Sequence, residues 1–466
     1  MKKLLLSSMV VASLFAANNN NDVQKEINTL KAQLTKLQKQ VNQNQNLALS
    51  NMKKVNPIAA NNHLYWSYDI RTAFDYIDYK LTNGKHKTNN VFSNRVILKA
   101  FAKPTPNLLA RLTLEANSIF GMDGDSNTMS QQYNNSNWVA NETPDDINLR
   151  VKEAFFAYFM DNNNMMFSAG RRPADEGFPA NLRDGDAPNS PIAHLVNMEF
   201  DGFSFSIFNG EFAKLSDKFS DWGTWLKFCA GRALSPNTGK FSPYPYSKGT
   251  NHYMDFGGFI FVPYDDGQYA LWTENIWATH VVGFNTQADY AANNLQDLGN
   301  YYGFNGIFKA NGIGDGISDF LDNTIAFASF AYTKTSPYGQ KEMQGSTKDK
   351  VGHSFWIGAD MPADEDGNNR FGFNYVHGTK YFRPMDYGED TLIGSIAATR
   401  GNAYEAYYIK QLQPHLTVSL RGTYIQYDYT GSNGFGGITS APVKVEDDPN
   451  AVKHAADIRA YIRYKF

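Results

Sequence analysis

From residue 63 to its end, the chain is written largely in two-residue alternation. The last segment is the clearest: Ala456, Ile458, Ala460, Ile462, Tyr464 and Phe466 alternate with Asp457, Arg459, Tyr461, Arg463 and Lys465. A strand turns successive side chains to opposite faces, so this pattern predicts an apolar and a charged face between two different media. In a soluble sandwich the apolar face would meet a second sheet; in a transmembrane barrel it would meet lipid while the charged face lined water. Leu64, Trp66, Tyr68, Ile70 and Phe74 follow the same rule, as do Leu108, Ala110, Leu112 and Leu114, and Leu416, Val418, Leu420 and Tyr424.

The connections favour the barrel. Short links rich in turn formers at 103–107, 161–164, 265–267, 363–369 and 411–415 alternate with long polar ones near 121–147, 173–200, 234–253, 283–300, 379–401 and 430–454. Sixteen strands fit between 63 and 466, an even number that leaves both chain ends on the short-turn side; a misreading of 195–233 would make it fourteen or eighteen. Two links on that side, 210–222 and 311–321, are not tight. The expected fold is therefore all-β, a transmembrane antiparallel β-barrel of residues 63–466, with its apolar residues spread outward and no conventional hydrophobic core.

The first 62 residues follow other rules. Lys2 and Lys3 precede an apolar run from Leu4 to Phe15 and then Ala16 and Ala17, the three-part plan of a signal peptide at residues 1–17. Over 22–50 the spacing changes to steps of four and three, with Val23, Ile27, Leu30, Leu34, Leu37 and Val41 forming a seam. So narrow a seam suits self-association in a short N-terminal α-helical coiled coil; a single amphipathic helix lying on the chain's own barrel fits the same residues. Residues 51–62, with Pro57, read as a linker.

Composition narrows the classes further. With 43 Lys and Arg against 46 Asp and Glu, the formal charge is −3, so no basic field is present to hold nucleic acid. Loss of residues 1–17 removes Lys2 and Lys3 and leaves −5. Cys229 is the single cysteine, which excludes a disulfide scaffold, and no apolar run near 20 residues is present to form a spanning helix. Aromatic residues make up 14% of the chain, enough to supply interfacial girdles on a barrel, while polar lumen and loops explain a mean hydropathy of −0.47.

Candidate chemistry is sparse. Residues 364–369 and 123–127 superficially resemble calcium loops, but neither has the acid at the twelfth position, and a hairpin turn and a polar loop explain them. The nine histidines show no metal-ligand spacing, and neither a G-x-S-x-G motif nor a P-loop occurs. No cofactor, metal or enzyme activity is expected; a barrel lipid hydrolase is the remote exception.

The informative stretch is Gly170-Arg171-Arg172-Pro173. Small and polar alternate neighbours assign Arg172 to the lumen and Arg171 to the outer headgroup region. The loop that follows, third on its side, holds Asp175, Glu176, Arg183, Asp184 and Asp186. Folded inward, its acids facing Arg172 would set a transverse field at a channel constriction; an exposed polar loop is the alternative. Together with the net charge, those acids predict a cation preference. Arg421, Arg459 and Arg463 fall on polar strand faces and are lumen-wall candidates, with salt bridges between hairpins as their other reading.

Four blocks carry a family resemblance: Gly170 to Pro173, Asn374 to Tyr381, Ala398 to Tyr408 and Tyr427 to Ser432. They resemble a porin-like outer-membrane family known from epsilonproteobacteria and some deltaproteobacteria, catalogued as a domain of unknown function, over roughly residues 150–432. That resemblance implies an outer-membrane location and a porin-like barrel, and no substrate or functional residue. Phe466, with Tyr464 and Ile462 at two-residue steps before it, also resembles the signal read by the outer-membrane assembly machinery of Gram-negative bacteria. The function expected is that of an exported outer-membrane porin, a water-filled channel for diffusion of small hydrophilic solutes or ions, surrounded by outer-membrane lipids and assembled as a homotrimer. The alternative is a structural barrel that tethers the outer membrane to the cell wall through its coil, or displays adhesive loops.

Overall fold

Two-residue alternation becomes sixteen strands in the computed structural model, which describes residues 64–120, 149–172, 174–189, 191–234, 254–292, 294–314, 316–386, 389–432, 434 and 436–466. The signal peptide, the coiled-coil seam, the linker and the 123–127 stretch lie outside these residues. The barrel strands are β1 (Leu64–Leu81), β2 (His86–Thr105), β3 (Leu108–Ile119), β4 (Arg150–Met160), β5 (Met165–Arg172), β6 (Phe200–Ile207), β7 (Trp225–Leu234) and β8 (Met254–Asp265). They continue as β9 (Tyr269–Gly283), β10 (Gln296–Asn311), β11 (Ile325–Pro337), β12 (Lys350–Pro362), β13 (Arg370–Gly378), β14 (Gly401–Gln413), β15 (Leu416–Tyr427) and β16 (Val452–Lys465).

Each strand neighbours its predecessor, and β1 pairs antiparallel with β16, Ile70 opposite Tyr464, so the sheet closes. At the seam the Tyr68 N–H donates to the Phe466 carbonyl at 3.1 Å and the Phe466 N–H returns to Tyr68 at 2.9 Å. Closure removes the free edge that an open sheet would present. No helix among the described residues is long and apolar enough to cross a membrane, a test that does not bear on a barrel.

Several strands outrun the ten residues expected: β2 has 20 and β1 has 18. They meet in a four-residue link, 82–85, so the first connection on the long-loop side is short and the alternation of short and long is not strict. The two loose links on the other side fold into short helices, Asn209–Ala213 with Asp217–Asp221, and Asp319–Asp322, which satisfy their own backbone groups. The Ser318 hydroxyl caps the last of these by accepting from the Leu321 N–H.

Burial is inverted relative to a soluble protein. On β15 and β16 the apolar Leu420, Tyr424, Ile458 and Ile462 are exposed on the outside, whereas Arg421, Asp457, Arg459 and Arg463 are buried within. The expectation of a barrel without a hydrophobic core is nevertheless wrong. The segments joining β5 to β6 and β13 to β14 enter the barrel, linked to each other by a parallel ladder of Val196–Asn197 with Met385–Asp386. Phe178, Leu182 and Ile192 of the first, and Ile393 and Ile396 of the second, pack on the inward Ile307, Phe327, Trp356, Val376, Tyr407 and Ile425.

Candidate functional site: the occupied lumen

Local geometry explains how the first inner loop fits. Residues Ala180–Asp184 form a 3-10 helix with all five side chains buried, ended by Gly185 at a φ of 65°, where glycine carries no steric penalty. A Cβ added at Gly177 would lie 1.8 Å from the Pro191 carbonyl oxygen, so only glycine lets the two limbs of the loop pass this closely. Past the turn, Asp186 meets Lys465 Nζ at 2.6 Å, at the short-turn end of β16. On the returning limb the His194 ring nitrogens lie 2.8 Å from the Ser329 hydroxyl and 2.9 Å from that of Ser354. Burial pushes the His194 pKa down to about 3, so the ring is neutral, donating through one nitrogen and accepting through the other.

The second inner loop carries Asp390 into a cage of arginines. Its Oδ1 accepts from Arg459 Nη1 at 2.7 Å and Arg71 Nη2 at 3.1 Å, and its Oδ2 from Arg95 Nη1 at 3.3 Å and from Arg71 Nη1. Its backbone carbonyl takes Arg421 Nη2 at 2.6 Å. Burial alone would raise the Asp390 carboxyl, but Arg71, Arg459 and Arg95 hold it well below the usual carboxylate range. Arg183 ties the loops together, reaching Glu389 at 2.7 Å and Glu405 on β14 at 3.4 Å.

The sequence candidates distribute as follows. Arg421, Arg459 and Arg463 stand on the inner wall and each holds an inner loop; Arg463 meets the Asp184 carbonyl at 3.2 Å and Asp186 at 2.7 Å. The Tyr461 hydroxyl donates to Asp184 at 2.7 Å, Asp175 pairs with Lys152 at 2.9 Å, and the Glu176 N–H donates to Asn197. Arg172 points inward but does not face these acids: it donates to the Ser168 hydroxyl and, at 3.0 Å, to that of Ser204, and lies 5.1 Å from the centre of the Phe155 ring. The field expected between Arg172 and the loop acids therefore does not form, because β4 and β16 supply closer partners. Pairing of those acids removes one of the two grounds for a cation preference, the net charge being the other. Arg171 turns outward to Glu199 at 2.5 Å and Asp201 at 3.5 Å. Ile462 and Tyr464 are exposed on the outer face, and the Phe466 ring lies 5.7 Å from that of Tyr68.

Residues 364–369 form the β12–β13 turn, with Asp364 Oδ1 accepting from the Asn369 N–H at 3.2 Å. Among the described residues, no cluster of three ligating side chains suits a metal.

Among the described residues, two of the cavities are sizeable. One of about 440 Å³ follows β2 to β7 and is lined by Lys99, Arg111, Phe155, Met166, Arg172 and Lys227, with Phe101, Leu109 and Phe159 near the short turns. The other, of about 400 Å³, lies on the long-loop side between Tyr79, Ile393, Tyr427 and Tyr429.

The family of proteins of unknown function designated DUF3373 matches residues 85–466. The chain belongs to this family. No curated protein matches it. Among solved structures, it is similar to the anion-selective porin from Comamonas acidovorans, at 12% identity and a TM-score of 0.49, covering 86% of this chain and 99% of that one. Pseudomonas putida OprB gives 11% identity and 0.48, covering 88% and 96%; Salmonella typhi OmpF in complex with daunomycin gives 11% and 0.46, covering 87% and 99%.

In this DUF3373 member, the residue sequence reasoning missed is Asp390. A signal for it existed: Arg71, Arg95, Arg421, Arg459 and Arg463 all occupy inward strand positions, and so many buried guanidiniums require counter-charge from somewhere.

Proposed function

We propose that the barrel resides in the outer membrane and passes small hydrophilic solutes or ions by diffusion, exported by its signal peptide and assembled as a homotrimer. The supporting observation is the lumen itself. Charged side chains line it from β14 through β16 to β7, and the inner loops narrow the lumen by packing mainly on apolar side chains from β8 to β15, the two sets sharing β14 and β15. On this reading the passage follows the side of the cavity along β2 to β7. Purified full-length protein in planar bilayers is expected to give small stepwise conductance, in triplets for a trimer. Absence of conductance across salts and voltages refutes this reading.

The apolar packing of two loops inside the barrel favours a second reading, a closed structural barrel that tethers the outer membrane to the cell wall through residues 22–50. Deletion of that segment separates the two. Loss of envelope integrity with solute uptake intact assigns tethering to the coil.

A further inference from the structure

The cavity along β2 to β7 has a chemistry of its own. Arg111 is paired, its Nε 2.8 Å from Glu153. Lys99 has neither a hydrogen bond nor an ion-pair partner among the described residues. Arg172, only 4% exposed, is held by two serine hydroxyls and one ring, with no carboxylate among its contacts. A buried guanidinium without a carboxylate in contact is costly, and two hydroxyls use only two of its five donors. Beside these cations the lining is apolar: Phe101, Leu109, Phe155, Phe159 and Met166.

From this juxtaposition we infer that the cavity is a binding station for a small amphipathic organic anion, a carboxylate on an apolar or aromatic body. The carboxylate would give Arg172 and Lys99 a direct partner, since the one carboxylate that acts on both, Glu153, does so at a distance and is already in contact with Arg111, and the body would rest on the rings of Phe155 and Phe159. A bare inorganic ion leaves the apolar lining unused, and a neutral aromatic leaves the cations unpaired. A volume of about 440 Å³ accommodates a single aromatic ring with its carboxylate and accompanying water. The inference rests on the proposed passage, through which the solute reaches the site.

Two measurements on the full chain separate the site from the passage. Titration calorimetry in detergent with benzoate, against neutral benzamide and against acetate, reads the site without requiring conduction. Benzoate is expected to bind more tightly than either, and Lys99→Gln to weaken it about tenfold. Lys227→Gln provides the same comparison if Lys99→Gln does not assemble. Equal affinities for the three probes, or an unchanged benzoate affinity in a folded variant, overturn the inference. In bilayers, a potassium chloride gradient is expected to give a reversal potential of anion sign, with benzoate reducing the chloride current; a reversal potential of cation sign overturns it. Benzoate binding without any conductance refutes the passage and leaves the site standing.

Discussion

Replacement of Asp390 by Asn is the most direct probe of the lumen. The carboxylate is 1% exposed and faces Arg71, Arg95 and Arg459, while Arg421 holds its backbone carbonyl. The substitution preserves shape and removes a side-chain negative charge that these three guanidiniums share. Loss of one partner from a buried ion pair is worth about 3–5 kcal/mol. The sheet itself is untouched, so the whole penalty falls on docking of the 379–400 loop. A shift of that size lowers the docked population relative to the released one by about 10²- to 10³-fold. Trypsin reads this directly, because Lys380 and Arg400 lie on the loop, and cleavage from a rapidly opening state tracks the open population. Asp390→Asn is expected to be cut faster and, in bilayers, to conduct more. Adding Arg71→Met should restore part of the protection, since both hydrogen bonds of Arg71 go to the Asp390 carboxylate and its guanidinium is left uncompensated. Cleavage and conductance indistinguishable from the unsubstituted protein would refute the view that this cage anchors the loop.

Other tests address the remaining contacts. Trp356→Ala empties a position packed against the inner loops and leaves Asn374 without its 3.0 Å indole partner; a loss of about 3–5 kcal/mol is expected, visible as a lower Tm with the barrel retained, and an unchanged Tm argues against an inner core. His194 stays neutral when docked, whereas a released loop takes up the proton below its ordinary pKa of 6.5. Its contribution to docking is therefore complete above that pH and falls by about 1.4 kcal/mol per unit towards pH 3. Hydrogen exchange of residues 174–199, corrected for intrinsic rates, should rise from pH 7 to pH 5, and His194→Asn should flatten that dependence; a flat profile in the parent chain contradicts it. Deletion of Phe466 removes two seam hydrogen bonds with Tyr68 along with the terminal aromatic, so the heat-modifiable folded band on gels should diminish; undiminished assembly would show that the signal lies elsewhere.

The outer architecture was legible because its rules are local. A strand in contact with lipid on one side must alternate, and Ala456 to Phe466 does so without interruption. The inner loops were not legible in the same way, although the strands carried a trace of them. Phe355-Trp356-Ile357 and Tyr424-Ile425 are apolar on both faces, the pattern of a strand covered on both sides. Trp356 and Ile425 are the inward members, and they pack against Phe178, Ile192 and Ile393.

Sequence alone determined an even-numbered barrel with an apolar exterior, because a period of two follows from strand geometry whatever the distant residues do. Tertiary structure decided what fills the barrel. Asp390 is one loop acid among many until β1, β2, β15 and β16 bring Arg71, Arg95, Arg421 and Arg459 around it from as far as 319 residues away in the chain. Arg172 likewise gains its meaning only from the carboxylates that go elsewhere. Electrostatic pairing depends on distance in space, which alternation along the chain does not encode.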